Sequence, residues 1–204
     1  LNVFMPQKLL DAINAYQTLR FKGYFFDLTY TKKGKIIYDT SFLIRFEKEN
    51  FRHLILGTTH LQNDRLIEKN SKKLFDELSG LTQTNYSTSK NFNLITTDPN
   101  YNSIVDRLEN IKNLDSLLTN RNLQVFQKSQ SPYVIPSNIE FDFLLKLNQY
   151  SNNTDTPFLF IKRTHDNSVV CNPVSTFRSD KPYEQNHKLK QVITLDTTTQ
   201  VYKK

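Results

Sequence analysis

The stretch Asn50-Phe51-Arg52-His53-Leu54-Ile55-Leu56-Gly57-Thr58-Thr59-His60-Leu61 holds two of the four histidines and one of the four glycines of this 204-residue chain. Histidine titrates near neutrality, so it can take or give a proton in a reaction. Cleavage of RNA without a metal needs such a group. The 2′-OH must lose a proton, the leaving 5′-oxygen must gain one, and the charge on phosphorus must be stabilised. Arginine or lysine suits the last task, and arginine can grip two phosphate oxygens at once. The chain offers His53 and His60 in one segment, Lys162-Arg163 near the end of a predicted strand, and Ser175, Thr176 and Arg178 near the end of the next.

Each residue also has a plainer reading. His53 could pack beside Phe51 and Leu54 with its nitrogens bonded to backbone. His165 falls in a predicted turn and His187 in a polar loop, where solvated imidazoles are expected. Lys162 and Arg163 could be charges that keep a strand edge from pairing with another chain. Tyr24, Phe25 and Phe26 are expected in the core rather than as a platform for bases.

Other chemistries lack their parts. Glycines stand only at 23, 34, 57 and 80, so no Gly-rich phosphate loop exists. There is no G-x-S-x-G elbow and no HExxH. On one continuous helix His53 and His60 would lie roughly 10 Å apart along the axis, too far to share a zinc ion. A break at Gly57 could bring them closer, but no third ligand stands out, and neither metal nor cofactor is expected. The single Cys171 excludes a disulfide framework and a Cys-rich zinc site. It fits a reducing, cytoplasmic compartment and reads as a buried, inert thiol in a strand. No apolar run approaches the ~20 residues of a membrane span, and no signal peptide is evident.

The formal net charge is +7 with a pI near 9.4, which favours an anionic partner. Residues 1–80 and 158–204 each carry +4, whereas residues 81–157 carry −1. If the two ends share a sheet, that sheet carries the basic face.

The elements that must position these groups are legible from periodicity. Residues 6–21 predict a helix with Leu9, Leu10, Ile13, Tyr16 and Leu19 on one stripe. Residues 23–30 and 36–46 predict a hairpin around the turn Thr31–Lys35. Asn50 is placed to cap a short helix whose Phe51, Leu54 and Ile55, with the following Leu61, face the core. Ser71–Leu78 predicts a helix stopped at Gly80, and residues 82–93 read as loop. Asp98-Pro99-Asn100 opens a longer helix to Leu118 with Ile104, Leu108, Ile111, Leu114 and Leu118 in register. Strands are then predicted at 123–126, 139–147, 158–163, 169–177 and 189–202, as an antiparallel meander. The fold class is α+β: an N-terminal helix and β-hairpin, a helical middle segment and a C-terminal antiparallel sheet. A single domain over residues 1–204 is expected.

Asn50, Phe51, His53, Leu54 and Gly57, then Phe158, Phe160, Lys162 and Arg163, then Pro173, Val174, Ser175 and Phe177 form three ordered blocks. They resemble the fourth phage-associated nuclease family of the Barnase–EndoU–colicin–RelE superfamily. Its signature looks like Asn-Phe-x-His-Leu-x-Gly, followed by a strand pair like Phe-Phe-x-Arg and Pro-Val-Ser-x-Phe. The present chain departs in placing Leu54-Ile55-Leu56 between His53 and Gly57.

The resemblance implies one or two helices followed by a four-stranded antiparallel sheet, with residues 62–120 an insertion or lid. It implies RNA as substrate, in a toxin or phage–host conflict setting, with an antitoxin or immunity protein as candidate partner. His53 would transfer the proton, Arg163 would hold the scissile phosphate, and Ser175 would bond it or the ribose. Lys162 and His60 would support them, with Arg52, Arg178 and Lys181 contacting RNA. The competing reading is a non-catalytic basic module that binds nucleic acid or an acidic protein, as a phage-encoded inhibitor or an inactive nuclease fold. Convergence of His53 with Arg163 or Ser175 in one concave basic site separates the two.

Overall fold

The computed structural model describes residues 4–57, 61–120, 123–128, 139–147, 155–181, 183–185 and 187–199. Helix α1 (Phe4–Arg20) leads into strands β1 (Lys22–Lys32) and β2 (Lys35–Arg45), then helix α2 (Lys48–Leu56). The middle holds α3 (Ser71–Ser79), α4 (Lys90–Thr96) and α5 (Val105–Leu118). Strands β3 (Gln124–Gln127), β4 (Phe143–Lys146), β5 (Thr156–Arg163), β6 (Val170–Ser179) and β7 (Lys188–Thr199) complete the order. The protein is α+β, in the order the periodicity predicts.

The sheet goes further than the expected meander. β3, β4, β5 and β6 pair antiparallel in sequence order. β7 then returns to pair with both β3 and β1, and β2 meets β6 in parallel through Leu43–Val170 and Ile44–Cys171. The seven strands close into a barrel. Closure pairs most of the edges that an open sheet would leave, although β2 and β6 share only two paired residues.

Local chemistry explains the elements. The β1–β2 connection is a two-residue turn in which Lys33 and Gly34 both take positive φ (50° and 74°), the twist that suits a tight hairpin. Along β1, Tyr24, Phe26 and Leu28 alternate inward, as period-two patterning requires. The predicted stripe of α1 is buried and packs on α5, whose Ile104-led stripe is also buried. Leu74, Phe75 and Leu78 of α3 share that core with Phe92 and Ile95 of α4.

Residues 82–93 are not all loop. α4 begins at Lys90, capped by the Ser89 hydroxyl accepting from Phe92 N at 3.0 Å. Only Phe92 and Ile95 supply its buried face, too few apolar residues to stand out in a polar sequence. The long helix also starts later than Asp98 predicts, after a 3-10 turn at Tyr101–Ile104. The reason lies in Asp98, which is buried and spends its carboxylate on Gln62 N, Asn63 N and Asn100 N (3.2, 2.6 and 2.8 Å).

Candidate functional site

His53 owes its position to α2. The helix buries Phe51, Leu54, Ile55 and Leu56, so the intervening His53 faces outward. Its start is fixed twice. Asn50 Oδ1 accepts from Glu47 N at 3.1 Å, and Tyr16 Oη donates to Glu47 O at 2.7 Å. Asn50 therefore caps from inside the first turn, one turn later than its predicted role. Phe51 locks the helix against Tyr16 and Phe75, each ring centroid 5.1 Å away.

At the other end of α2, Gly57 N donates to His53 O at 2.8 Å. Gly57 takes φ 69° and ψ −160°, a conformation closed to other residues. A Cβ built there would stand 2.6 Å from Cζ and Nε of Arg107. The missing side chain leaves room for that guanidinium.

Arg107 is the residue that pattern reading passed over. It lies on α5 one place before the buried Leu108 and reaches across to β6. Its Nη1 donates to Thr176 O at 2.9 Å and to Ser175 Oγ at 3.4 Å. Its guanidinium lies 5.8 Å from the Phe177 ring centroid. The topology explains this reach. β6 pairs with β2 only through Val170 and Cys171, and α2 and α5 pack along the remainder of β6. Arg107 thus satisfies a strand-edge carbonyl that no strand covers among the described residues.

At the α2–α5–β6 seam Arg107 meets Ser175, and its charge bears on the outward-facing His53. His53 has its affinity for a proton lowered, first by loss of hydration, then by the charges of Arg107 and Arg52. Arg107 is itself desolvated, which pulls its value below the ordinary guanidinium range. Ser175 is buried beneath it. One turn along α5, the fully buried Asn110 accepts from Arg178 Nε at 3.0 Å and donates to Thr176 Oγ1 at 3.4 Å. Arg178 thereby joins the same seam, and the exposed Lys181 follows just past the end of β6.

Other expected site residues stand elsewhere. Arg163 pairs with Cys171, whereas Ser175 pairs with Phe160, so the two are about 10 Å apart along the hairpin. The Arg163 guanidinium donates to Thr40 Oγ1 at 3.3 Å and lies over Phe143. Lys162 meets Glu140 at 2.5 Å. Arg52 turns away from the seam to the buried Asp64, with Nε on Glu68 O at 3.2 Å. His60 lies outside the described residues. Cys171 is buried, which pushes its thiol up to about 12, beyond use as a nucleophile at neutral pH.

No three His, Cys, Asp or Glu side chains cluster as metal ligands among the described residues. Nor, among them, is any helix long and apolar enough to cross a membrane. No curated protein and no solved structure matches the chain. Residues 8–201 match the family described as phage-Barnase-EndoU-ColicinE5/D-RelE like nuclease4, and with nearly the whole length matched the chain belongs to that nuclease family.

Proposed function

We propose that the protein is a metal-independent endoribonuclease whose reaction centre is the α2–α5–β6 seam. The observation that carries the reading is the position of Arg107, whose charge bears on His53 while its Nη1 bonds Ser175 and Thr176. A histidine with lowered proton affinity is largely neutral at pH 7, the form that accepts a proton. His53 would take the proton of a ribose 2′-OH. The 2′-oxygen then attacks phosphorus, the bond to the 5′-oxygen breaks, and a 2′,3′-cyclic phosphate forms. Arg107 would stabilise the charge that builds on the phosphoryl oxygens, with Ser175 fixing the guanidinium and Arg178 holding a neighbouring phosphate. This gives Arg107 the phosphate role that the family pattern suggests for Arg163. His60 is the second imidazole in the sequence that could protonate the leaving oxygen.

The test is incubation with total RNA in excess EDTA, beside the His53→Ala and Arg107→Gln variants. Cleavage by the wild type alone, leaving cyclic phosphate ends, is the expected result. Loss of wild-type cleavage in EDTA would overturn the metal-free mechanism. Salt-sensitive RNA binding without any cleavage would favour the non-catalytic module. On the nuclease reading, phage–host conflict in the cytoplasm is the setting, and an immunity protein that covers the seam is the expected partner.

A further inference from the structure

The strands bring a second set of cations to the end of the barrel away from Arg178. Lys188 pairs with Gln127, Gln127 with Phe143 and Phe143 with Ile161. The start of β7, the end of β3, the start of β4 and the end of β5 therefore form one rim. The β1–β2 turn, with Lys32, Lys33 and Lys35 and no carboxylate between them, belongs to the same end.

Two open cavities lie along this rim and share Gln127. One, of about 740 Å³, is lined by Lys128, Lys162, Arg163 and His165 with Asp142 and Asp166. The other, of about 560 Å³, is lined by Tyr30, Lys188 and Lys190 with Asp39. Some of this charge is spent within the fold: Lys162 on Glu140, and the buried Lys190 on Asp39 at 2.6 Å. The charge of Lys128 also bears on Glu140, and Arg163 N donates to Asp142 Oδ2 at 2.7 Å. Lys128 lies 5.3 Å from the Phe141 ring centroid. Arg163 has Thr40 and the Phe143 ring. Lys128 and Lys188 are exposed. Tyr30 lines the second cavity with its ring centroid 5.1 Å from Lys190 Nζ, an aromatic face on which an unpaired base can stack.

We infer that this rim is a second binding site, for single-stranded RNA, which anchors the strand away from the scissile bond. Cations at open strand ends, with a tyrosine face beside them, fit a backbone of phosphates carrying unstacked bases. Lys162 and Arg163 thereby gain a role that their distance from Ser175 does not provide. The inference takes its ligand class from the nuclease reading, but its test does not depend on cleavage.

A fluorescent 2′-O-methyl oligonucleotide of fifteen residues lacks the attacking hydroxyl and reports binding alone. Its affinity for the wild-type chain, a Lys128→Ala/Lys188→Ala variant and a Lys73→Ala/Lys90→Ala variant is measured over a range of salt. The second variant removes the same charge from exposed sites on α3 and α4. Each lost phosphate contact on a single strand should reduce the salt slope by about 0.7. The rim variant is expected to lose about 1.4 in slope and roughly 25-fold in affinity at 0.1 M salt. The matched variant should bind as the wild type does. Equal losses in both, or none in the rim variant, overturn the proposal, even if the protein cleaves RNA. A rim-specific loss in a protein that cleaves nothing leaves the binding site standing and removes the catalytic reading.

Discussion

Arg107 and Ser175 lie 68 residues apart in sequence, yet Nη1 of one is 3.4 Å from Oγ of the other. The same nitrogen holds the Thr176 carbonyl, so the guanidinium is pinned to the uncovered side of β6. A charge that is fixed before substrate arrives needs no reorganisation during reaction. Replacing it with a neutral side chain is therefore expected to cost catalysis rather than binding. Arg107→Gln should lower kcat by about 10²–10³, whereas Arg163→Gln should mainly raise KM for long RNA. Steady-state kinetics on a long and a very short substrate separate the two, and equal kcat losses in both variants would refute the division of roles.

The pH dependence follows from His53. Lost hydration and the charges of Arg107 and Arg52 hold its value below the ordinary histidine figure near 6.5. If the neutral ring is the base, activity is flat at neutral pH and falls only as pH drops through that lowered value. In Arg107→Gln one opposing charge is gone, so the acid limb of the residual activity should move to higher pH. Folding stability has the same sign. The unfolded chain binds the proton more readily, so the contribution of His53 is full above about pH 6.5 and is lost on acidification. A pH–rate profile with an acid limb above 6.5 in the wild type would exclude His53 as the base.

Gly57 couples the fold to the site. Gly57→Ala introduces a methyl where Arg107 now lies and imposes a side chain on a positive φ. Backbone strain of this kind costs on the order of 1–3 kcal/mol. The displaced guanidinium should also reduce turnover. Thermal unfolding and kcat measured on one preparation test this, and an Ala variant with unchanged melting temperature and rate would show that Arg107 relaxes freely.

Asn110 is the buried polar link between α5 and β6. Asn110→Ala leaves Arg178 Nε without its acceptor, and removing a partner from a partly buried donor costs about 1–3 kcal/mol. Urea unfolding should show that loss. If Arg178 contacts RNA, the variant should also bind more weakly as the released side chain loses its aim.

Much of the fold was legible from pattern. Leu9, Leu10, Ile13, Tyr16 and Leu19 announce α1 because a helix repeats every 3.6 residues. Tyr24, Phe26 and Leu28 announce β1 because a strand alternates every two. α4 was hidden because its buried face rests on Phe92 and Ile95 alone. Register behaved similarly: the antiparallel β5–β6 pair follows from the short link between Arg163 and Val170, but β7 meeting both β1 and β3 involves no local signal.

The candidate site divides along the same line. By itself the sequence determined the family, the α+β class, the basic balance, and the presence of His53 and Ser175 in separate motifs. These are local properties, carried by residue type and spacing. Only the tertiary structure decided which groups share a seam. It joined Arg107, an unremarked charge on a helix of mixed polarity, to Ser175 and Gly57, and it sent Arg163 to the opposite rim. The first outcome follows from β6 parting from β2 after two paired residues, which opens an edge that α5 covers; the second follows from the β5–β6 register, which sets Arg163 against Cys171 and Ser175 against Phe160. Closure of the barrel depends on the packing of the whole chain, and no single segment of the sequence encodes it.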